Sequence, residues 1–427
     1  MDGFKKKLIA IALMLLVFAG ISTVAKFKII DGTDDKIKGI DEIGTAVSEM
    51  EIPDYVKVLG VGEATHGNVE FQELKLEVLK NISEKDVCKS LLFEMPAGAG
   101  ALMNDYVHER GEYREAVDIV GELSYALYDT DEMIALLDWA KDYNKGKAYE
   151  DTIMFYGIDM QDAPADVKYL LTCIDKAGSR ISDADRERLE KIVSYEVDLD
   201  PSSDKAFLEG LKADFERLPE EEKTDALYIL KVALQTFDRP SFDDDADAYS
   251  DYRDDCMLEN TRYLSNLEAE RGYETVMLTA HNGHLMKGDS ESFGSITFGE
   301  KLFREYGKEY YVIGTDFYNA TVNIHTAGTY DEKYERANHD FCSSDPLANQ
   351  AKYFDDGVYL LDFSKVTENS GKIYELIHKP TFMGLVGEGF NEYSYFCKYY
   401  RTKVIQADRY DAVVYYYNAN PIEPIHF

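Results

Sequence analysis

The chain has 427 residues, with 46 Lys+Arg against 81 Asp+Glu, a formal charge of -35, and it is 45% hydrophobic and 30% charged. That balance supplies a large buried core and excludes disordered, collagenous and coiled-coil classes. So acidic a chain also lacks the basic stripe that nucleic acid demands and has no electrostatic reason to dock on an anionic membrane.

At the amino end, Lys5, Lys6 and Lys7 precede an apolar run from Leu8 to Val24. A basic head followed by such a run is the pattern of a secretory signal. Its length also reaches the lower limit for spanning a bilayer. Residues 1–25 therefore read as a signal peptide or a single retained anchor, and the protein as exported: secreted, or held at the outer face of the cytoplasmic membrane by residues 8–24. Polar residues 26–40 read as a linker, and residues 41–427 as an α/β domain. The oligomeric state is not written in the sequence.

From Val56 the chain alternates strands and helices. Val56–Gly62 is a short apolar strand ending in glycines, and Glu70–Leu79 follows with helical spacing of Phe71, Leu74, Val78 and Leu79. Further strands are predicted at Ser90–Phe93, Thr152–Tyr156, Thr275–Ala280, Tyr310–Gly314, Val358–Phe363 and Ala412–Tyr417. Near-continuous apolar strands separated by helices imply an α/β fold: a mostly parallel central sheet flanked by helices. The stretch from about 165 to 266 is charged and helical in spacing. It reads as a helical insertion forming a lid over the crevice at the strands' carboxyl ends. Asp243, Asp244, Asp245 and Asp247 within it lack the Gly and Glu of an EF-hand loop and read as a solvated turn. The five cysteines have neither disulfide-framework nor zinc-finger spacing and read as free thiols.

Ionisable residues sit just past the carboxyl ends of four of these strands: Glu63 with His66, then Glu94, then Asp159, then His281 with Asn282 and His284. Open α/β sheets bind ligands at those ends, and charges at buried strand termini are costly unless paired or functional. In Gly60-Val-Gly-Glu-Ala-Thr-His-Gly67 the glycines allow a turn off the strand, and Gly67 leaves room beside the imidazole. His66 then suits a general base, oriented by Glu63 or Glu94. The plainer reading has Thr65 capping the next helix and His66 as polar surface. In Ala280-His-Asn-Gly-His284, one imidazole can donate to an oxyanion while the other binds substrate or metal. His284 serves equally well as a structural histidine.

These motifs together resemble the erythromycin esterase family: GEATHG with the trailing EFQELK, the strand-ending LLFE, YGID, the RDxxMxxN of Arg253, Asp254, Met257 and Asn260, and AHNGH. The order holds from residue 55 to about 320. The resemblance implies a helical lid over a deep cleft and a hydrolase whose histidine activates water against an ester or lactone carbonyl, without a covalent intermediate or cofactor. It implies His66 as base, Glu63 and Glu94 orienting it or the water, and His281 on the opposite wall. Lys75, standing where the family usually has arginine, would touch a small-molecule substrate along with Asp159, Asn282 and His284. Lysine there keeps the charge without the bidentate fork. Macrolide inactivation, and with it antibiotic resistance, is one activity the family name carries. It does not settle the substrate.

Neither a GxSxG elbow nor a cysteine in the strand-end motifs is present, which disfavours covalent catalysis. Two readings compete. Glu63, His66, Glu94 and His284 could hold a divalent metal such as Zn²⁺ in a metal-dependent hydrolase or peptidase. Alternatively the histidines ligate haem in a non-catalytic exported carrier, with some of the 32 tyrosines lining the pocket.

Overall fold

The computed structural model describes residues 35–427 other than 112, 124, 289–295 and 327–334, together with Leu13 and Met14. The expected signal or anchor thus lies outside the described residues apart from those two. Among the described residues no helix is long and apolar enough to cross a membrane. The end of the expected linker is packed rather than free: Ile37 and Ile40 are buried, and the Ile37 N–H donates to Gln350 Oε1 at 2.7 Å. Two isoleucines in a polar stretch are enough to fasten it to the core.

The strands are β1 (Val58–Glu63), β2 (Ser90–Pro96), β3 (Met154–Asp159), β4 (Val276–His281), β5 (Tyr310–Thr326), β6 (Arg336–Cys342), β7 (Val358–Asp362), β8 (Thr381–Gly384), β9 (Gly389–Phe390), β10 (Arg401–Val404) and β11 (Ala412–Ala419). The main sheet runs β3-β2-β4-β1-β5-β11-β7, with β6 and β9 pairing to β5, while β8 and β10 form a separate ribbon. Pairings from β3 across to β11 are parallel; β7 and β6 join antiparallel. The α/β reading with a mostly parallel sheet holds.

Alternate strand residues feed two cores, one on each face. Val58, Leu92, Leu278 and Val312 pack on one side; Leu59, Leu91, Phe93, Met277 and Ile313 pack on the other. Burial on both faces is why the strands read as unbroken apolar runs. Helices α1 (Val69–Glu84), α2 (Ala97–Val107) and α3 (Asp131–Asn144) follow β1 and β2. Between β3 and β4 the chain forms α4 (Ala163–Ala177), α5 (Asp183–Val193), α6 (Asp204–Phe215), α7 (Glu220–Gln235) and α8 (Ala246–Arg271), with no strand. The acidic turn before α8 supplies its cap: Asp245 Oδ1 accepts from the Ala248 N–H at 3.0 Å.

Two sequence expectations change. Gly60 and Gly62 lie inside β1 rather than in a turn, and a Cβ at Gly62 would sit 2.2 Å from Asn282 Oδ1. Gly67 makes room for β5 rather than for the imidazole: a Cβ there would lie 1.9 Å from the Asn323 carbonyl oxygen.

Candidate active site

Parallel register brings the strand ends together. Glu63 closes β1 opposite His281 at the end of β4. Glu94 sits in an irregularity of β2: Phe93 faces Gly157 and Pro96 faces Asp159, so β2 carries one residue more than β3. Such a bulge re-aims the side chains it carries. Gly157 permits it, because a Cβ there would lie 1.9 Å from the Pro96 oxygen.

The first arm of the site is a buried chain of charge. α1 turns Phe71, Leu74 and Lys75 inward, and Lys75 Nζ lies 2.6 Å from Glu63 Oε1. Nζ also donates to Gln72 Oε1 at 2.5 Å, and Thr279 Oγ1 donates to Glu63 Oε1 at 3.3 Å. The other Glu63 oxygen lies 3.3 Å from His66 Nδ1. Burial alone would raise the Glu63 carboxyl, but the Lys75 charge and the His66 contact outweigh it and bring it down to about 2. Burial opposes a charge on His66, yet the hydrogen bond and charge of Glu63, then Glu94 and Glu388, raise its imidazole above the ordinary 6.5. His66 sits in the loop before α1, and its ring lines the cleft. Thr65 does not cap α1: the N-cap is Asn68, and the Thr65 hydroxyl donates to Asn68 Oδ1 at 2.5 Å.

The second arm converges on Arg253 of α8. Its Nη2 donates to Glu94 Oε1 at 2.5 Å and to Asp159 Oδ2 at 2.7 Å, and its Nε meets both Asp159 oxygens at 3.1 Å. Nη1 lies 3.1 Å from His284 Nε2, while His284 Nδ1 lies 3.0 Å from Asp254 Oδ1. Burial would raise Glu94, but His284, Arg253 and His66, with the His281 N–H donated at 3.0 Å, hold it well below the usual carboxylate range. Burial likewise disfavours charge on His284, and Glu94 and Asp254 reverse it, raising that imidazole.

His281 is different in kind. Its Nε2 lies 3.1 Å from the Val386 carbonyl, and its Nδ1 accepts from the Gly283 N–H at 3.2 Å. The ring is thus neutral with its proton on Nε2, and burial with the adjacent His66 pushes it down to about 3. Its centroid stands 5.0 Å from that of His66. Neither nitrogen remains for an oxyanion, a metal or haem iron.

Glu94, Asp159, Arg253 and His66 line a cleft of about 570 Å³ walled by Tyr125, Leu127, Tyr128, Tyr195 and Phe427 and edged by Asp162 and Glu388. Four residues expected on the cleft wall do not line it: His281 and His284 stand behind His66, Glu94 and Arg253, and Lys75 and Asn282 lie elsewhere. Lys75 is behind Glu63, 1% exposed, with its ammonium 5.3 Å from the Tyr128 ring centre. Asn282 is wholly buried and splices β4 to β5, its Nδ2 donating to the Thr315 carbonyl at 2.8 Å.

The proposed metal set does not fit this arrangement. Each carboxylate already faces a protein cation, Lys75 for Glu63 and Arg253 for Glu94. Among the described residues no group of three or more His, Cys, Asp or Glu is placed to hold an ion.

The erythromycin esterase family model matches residues 83–419. The chain belongs to the erythromycin esterase family. No curated protein sequence matches it. Solved structures share its fold. A Bacillus cereus protein is 18% identical with a TM-score of 0.67, covering 91% of this chain and 98% of that one. A succinoglycan biosynthesis protein is 18% identical with a TM-score of 0.64 over the same shares, 91% and 98%. A mutant of the erythromycin esterase EreC in its open conformation is 14% identical with a TM-score of 0.55, covering 88% and 93%.

Within this erythromycin esterase fold, Arg253 is a site residue that the sequence does not single out beyond its RDxxMxxN motif. An arginine and an aspartate adjacent on a helix, with Asn260 a further two turns on, was the available signal. Tyr125, Tyr128 and Glu388 carry no motif and emerge only from the packing.

Proposed function

We propose that the protein hydrolyses a carboxylic ester or lactone of a small molecule by direct attack of water. The observation that carries this is the Lys75–Glu63–His66 chain, which ends in a histidine that lines the same cleft as Arg253. Glu63 accepts a hydrogen bond from the His66 Nδ1–H, fixing the tautomer that leaves the Nε2 lone pair for water. As water attacks, Nε2 takes its proton, and the imidazolium forms beside a carboxylate that Lys75 keeps ionised. General-base help of this kind contributes about 10²–10⁴-fold. The bond from water to the carbonyl carbon places negative charge on the carbonyl oxygen, and the Arg253 guanidinium is the cation of the cleft wall that stabilises it. Collapse expels the alkoxide, which recovers a proton from His66. Glu94 and Asp159 hold Arg253 in place, and His281 stiffens the wall through Val386.

No step in this scheme calls on a metal, since His66 activates the water and Arg253 meets the charge. A panel of chromogenic esters, lactones and a macrolide, run with and without chelator, tests it. Turnover that survives chelation and falls by about 10²–10⁴-fold in His66→Ala is the expected result. Near-wild-type turnover in that variant, or turnover that chelation abolishes and added metal restores, contradicts it.

A further inference from the structure

After β11 the chain is fastened at two places, each next to residues that line the cleft. The first is the loop that carries His66. There the Ile422 N–H donates to the Gly67 carbonyl at 3.1 Å, and the Asn420 carbonyl accepts from the Val69 N–H at 3.0 Å and from Asn68 Nδ2 at 2.8 Å. Ile422 is buried at this crossing. The second is Asp129, which follows directly on the cleft residues 125–128. Its carbonyl accepts from the Ile425 N–H at 2.9 Å. Its carboxylate takes both bonds from His426: the backbone N–H donates to Oδ2 at 2.6 Å, and ring Nδ1 lies 2.7 Å from Oδ1.

Asp129 is 0% exposed. A buried carboxylate is costly unless its oxygens are met, and His426 meets both. The His426 ring is seated over Gly121, where a Cβ would stand 3.0 Å from its Cε1. The next residue, Phe427, lines the cleft beside Tyr125, Leu127 and Tyr128, yet it is 62% exposed. Exposed aromatic residues scattered over a surface need no explanation. Phe427 is different, because directed bonds to its neighbour, and not burial of its own ring, hold it at the cleft. An aromatic ring so placed offers a large apolar face at small cost in side-chain entropy. His66, Arg253, Asp162 and Glu388 supply the polar side of the same cleft.

We propose that Phe427 is a specificity-determining residue: its ring takes the apolar body of the substrate, an alkyl chain or ring attached to the scissile ester, and the His426–Asp129 clasp is what positions it. This rests on the hydrolase reading of the cleft.

Acetamide and hexanamide are the probes, and calorimetry reads their binding without turnover. Phe427→Ala removes an exposed ring, Phe427→Leu keeps apolar bulk, His426→Ala opens the clasp, and His426→Asn keeps a donor that can reach Asp129. Thermal unfolding checks that each variant folds. The ratio of hexanamide to acetamide affinity is expected to fall about tenfold in Phe427→Ala, the share of a phenyl ring's burial that a bound chain completes, and to recover most of that in Phe427→Leu. It falls in His426→Ala and returns in His426→Asn. The ratio of kcat/KM for hexanoyl over acetyl p-nitrophenyl esters follows the same order. A wild-type affinity ratio in folded Phe427→Ala, or no binding of hexanamide to the wild type, overturns the proposal; a wild-type ratio in His426→Ala overturns the clasp. If no ester is turned over, the hydrolase reading fails instead, and the amide pair still decides the role of Phe427.

Discussion

Lys75 is a cation 1% exposed, lying against aromatic rings, with its ammonium 2.6 Å from Glu63. Its helix position explains why the sequence misplaced it. Its place where the family usually has an arginine suggests a substrate contact, but the same turn carries Phe71 and Leu74 into the core, and Lys75 goes inward with them. Glu63 and His66 are legible as ionisable residues at a strand end, but the sequence leaves Glu63 and Glu94 open as partner to His66, and packing decides for Glu63. The state of His281 is not legible, since it depends on Val386, more than a hundred residues away. A buried pair of this kind is sensitive to the loss of one member. Lys75→Met leaves the Glu63 carboxylate buried without its cation and is expected to cost about 3–5 kcal/mol, read as a fall in urea midpoint at neutral pH. The loss should shrink toward pH 4, where Glu63 can protonate. An unchanged midpoint would mean the ammonium contributes nothing net.

At the scale of elements, the site depends on one bulge and one helix. The bulge in β2 aims Glu94 at Arg253 and the His281 N–H, and Gly157 of β3 makes space for it. Gly157→Ala drives a methyl into the Pro96 carbonyl, and overpacking costs about 1–3 kcal/mol. We expect a lowered unfolding temperature together with a loss of turnover, because the shift moves Glu94. Turnover at the wild-type level in a folded Gly157→Ala protein would show that the bulge does not set the site. Helix α8 uses each position of its RDxxMxxN motif: Arg253 and Asp254 face the site, Met257 is buried in the core, and Asn260 donates to the Ile158 carbonyl at 2.9 Å, tying the helix to β3. The apolar parallel strands were readable for the same reason that they are buried on both faces. The far half of β5 was not. Thr315 and Asp316 are buried but polar, from Asn319 on buried and half-exposed residues largely alternate, and the partner β6 is mostly polar, so neither reads as an apolar run.

For the whole molecule, the formal charge of -35 and several buried acids give stability a predictable pH course. Asp225 is raised by burial to about 7, and burial also raises the adjacent carboxyls of Asp316 and Asp345. A carboxyl raised in the folded state destabilises above its folded value, and that penalty is relieved as pH falls through the window. Glu63 has the opposite sign. Lowered to about 2, it contributes stability that is full above 4.5 and is lost as pH falls toward 2. Falling pH also relieves the net negative repulsion. Urea midpoints should therefore rise from pH 7.5 to a maximum near pH 5 and drop below about pH 4.5. A midpoint falling steadily from pH 7.5 to 5 would contradict this balance.

All of the chemistry proposed for the cleft turns on the state of one ring. Histidine-selective ¹⁵N and ¹³C labelling, followed by NMR titration of His66 assigned through its alanine variant, reads that state without a substrate. The account predicts a neutral ring protonated on Nδ1 with a bare Nε2, titrating above 6.5 and moving lower in Glu63→Gln. A proton on Nε2, or titration at or below 6.5 that Glu63→Gln leaves unchanged, would contradict it.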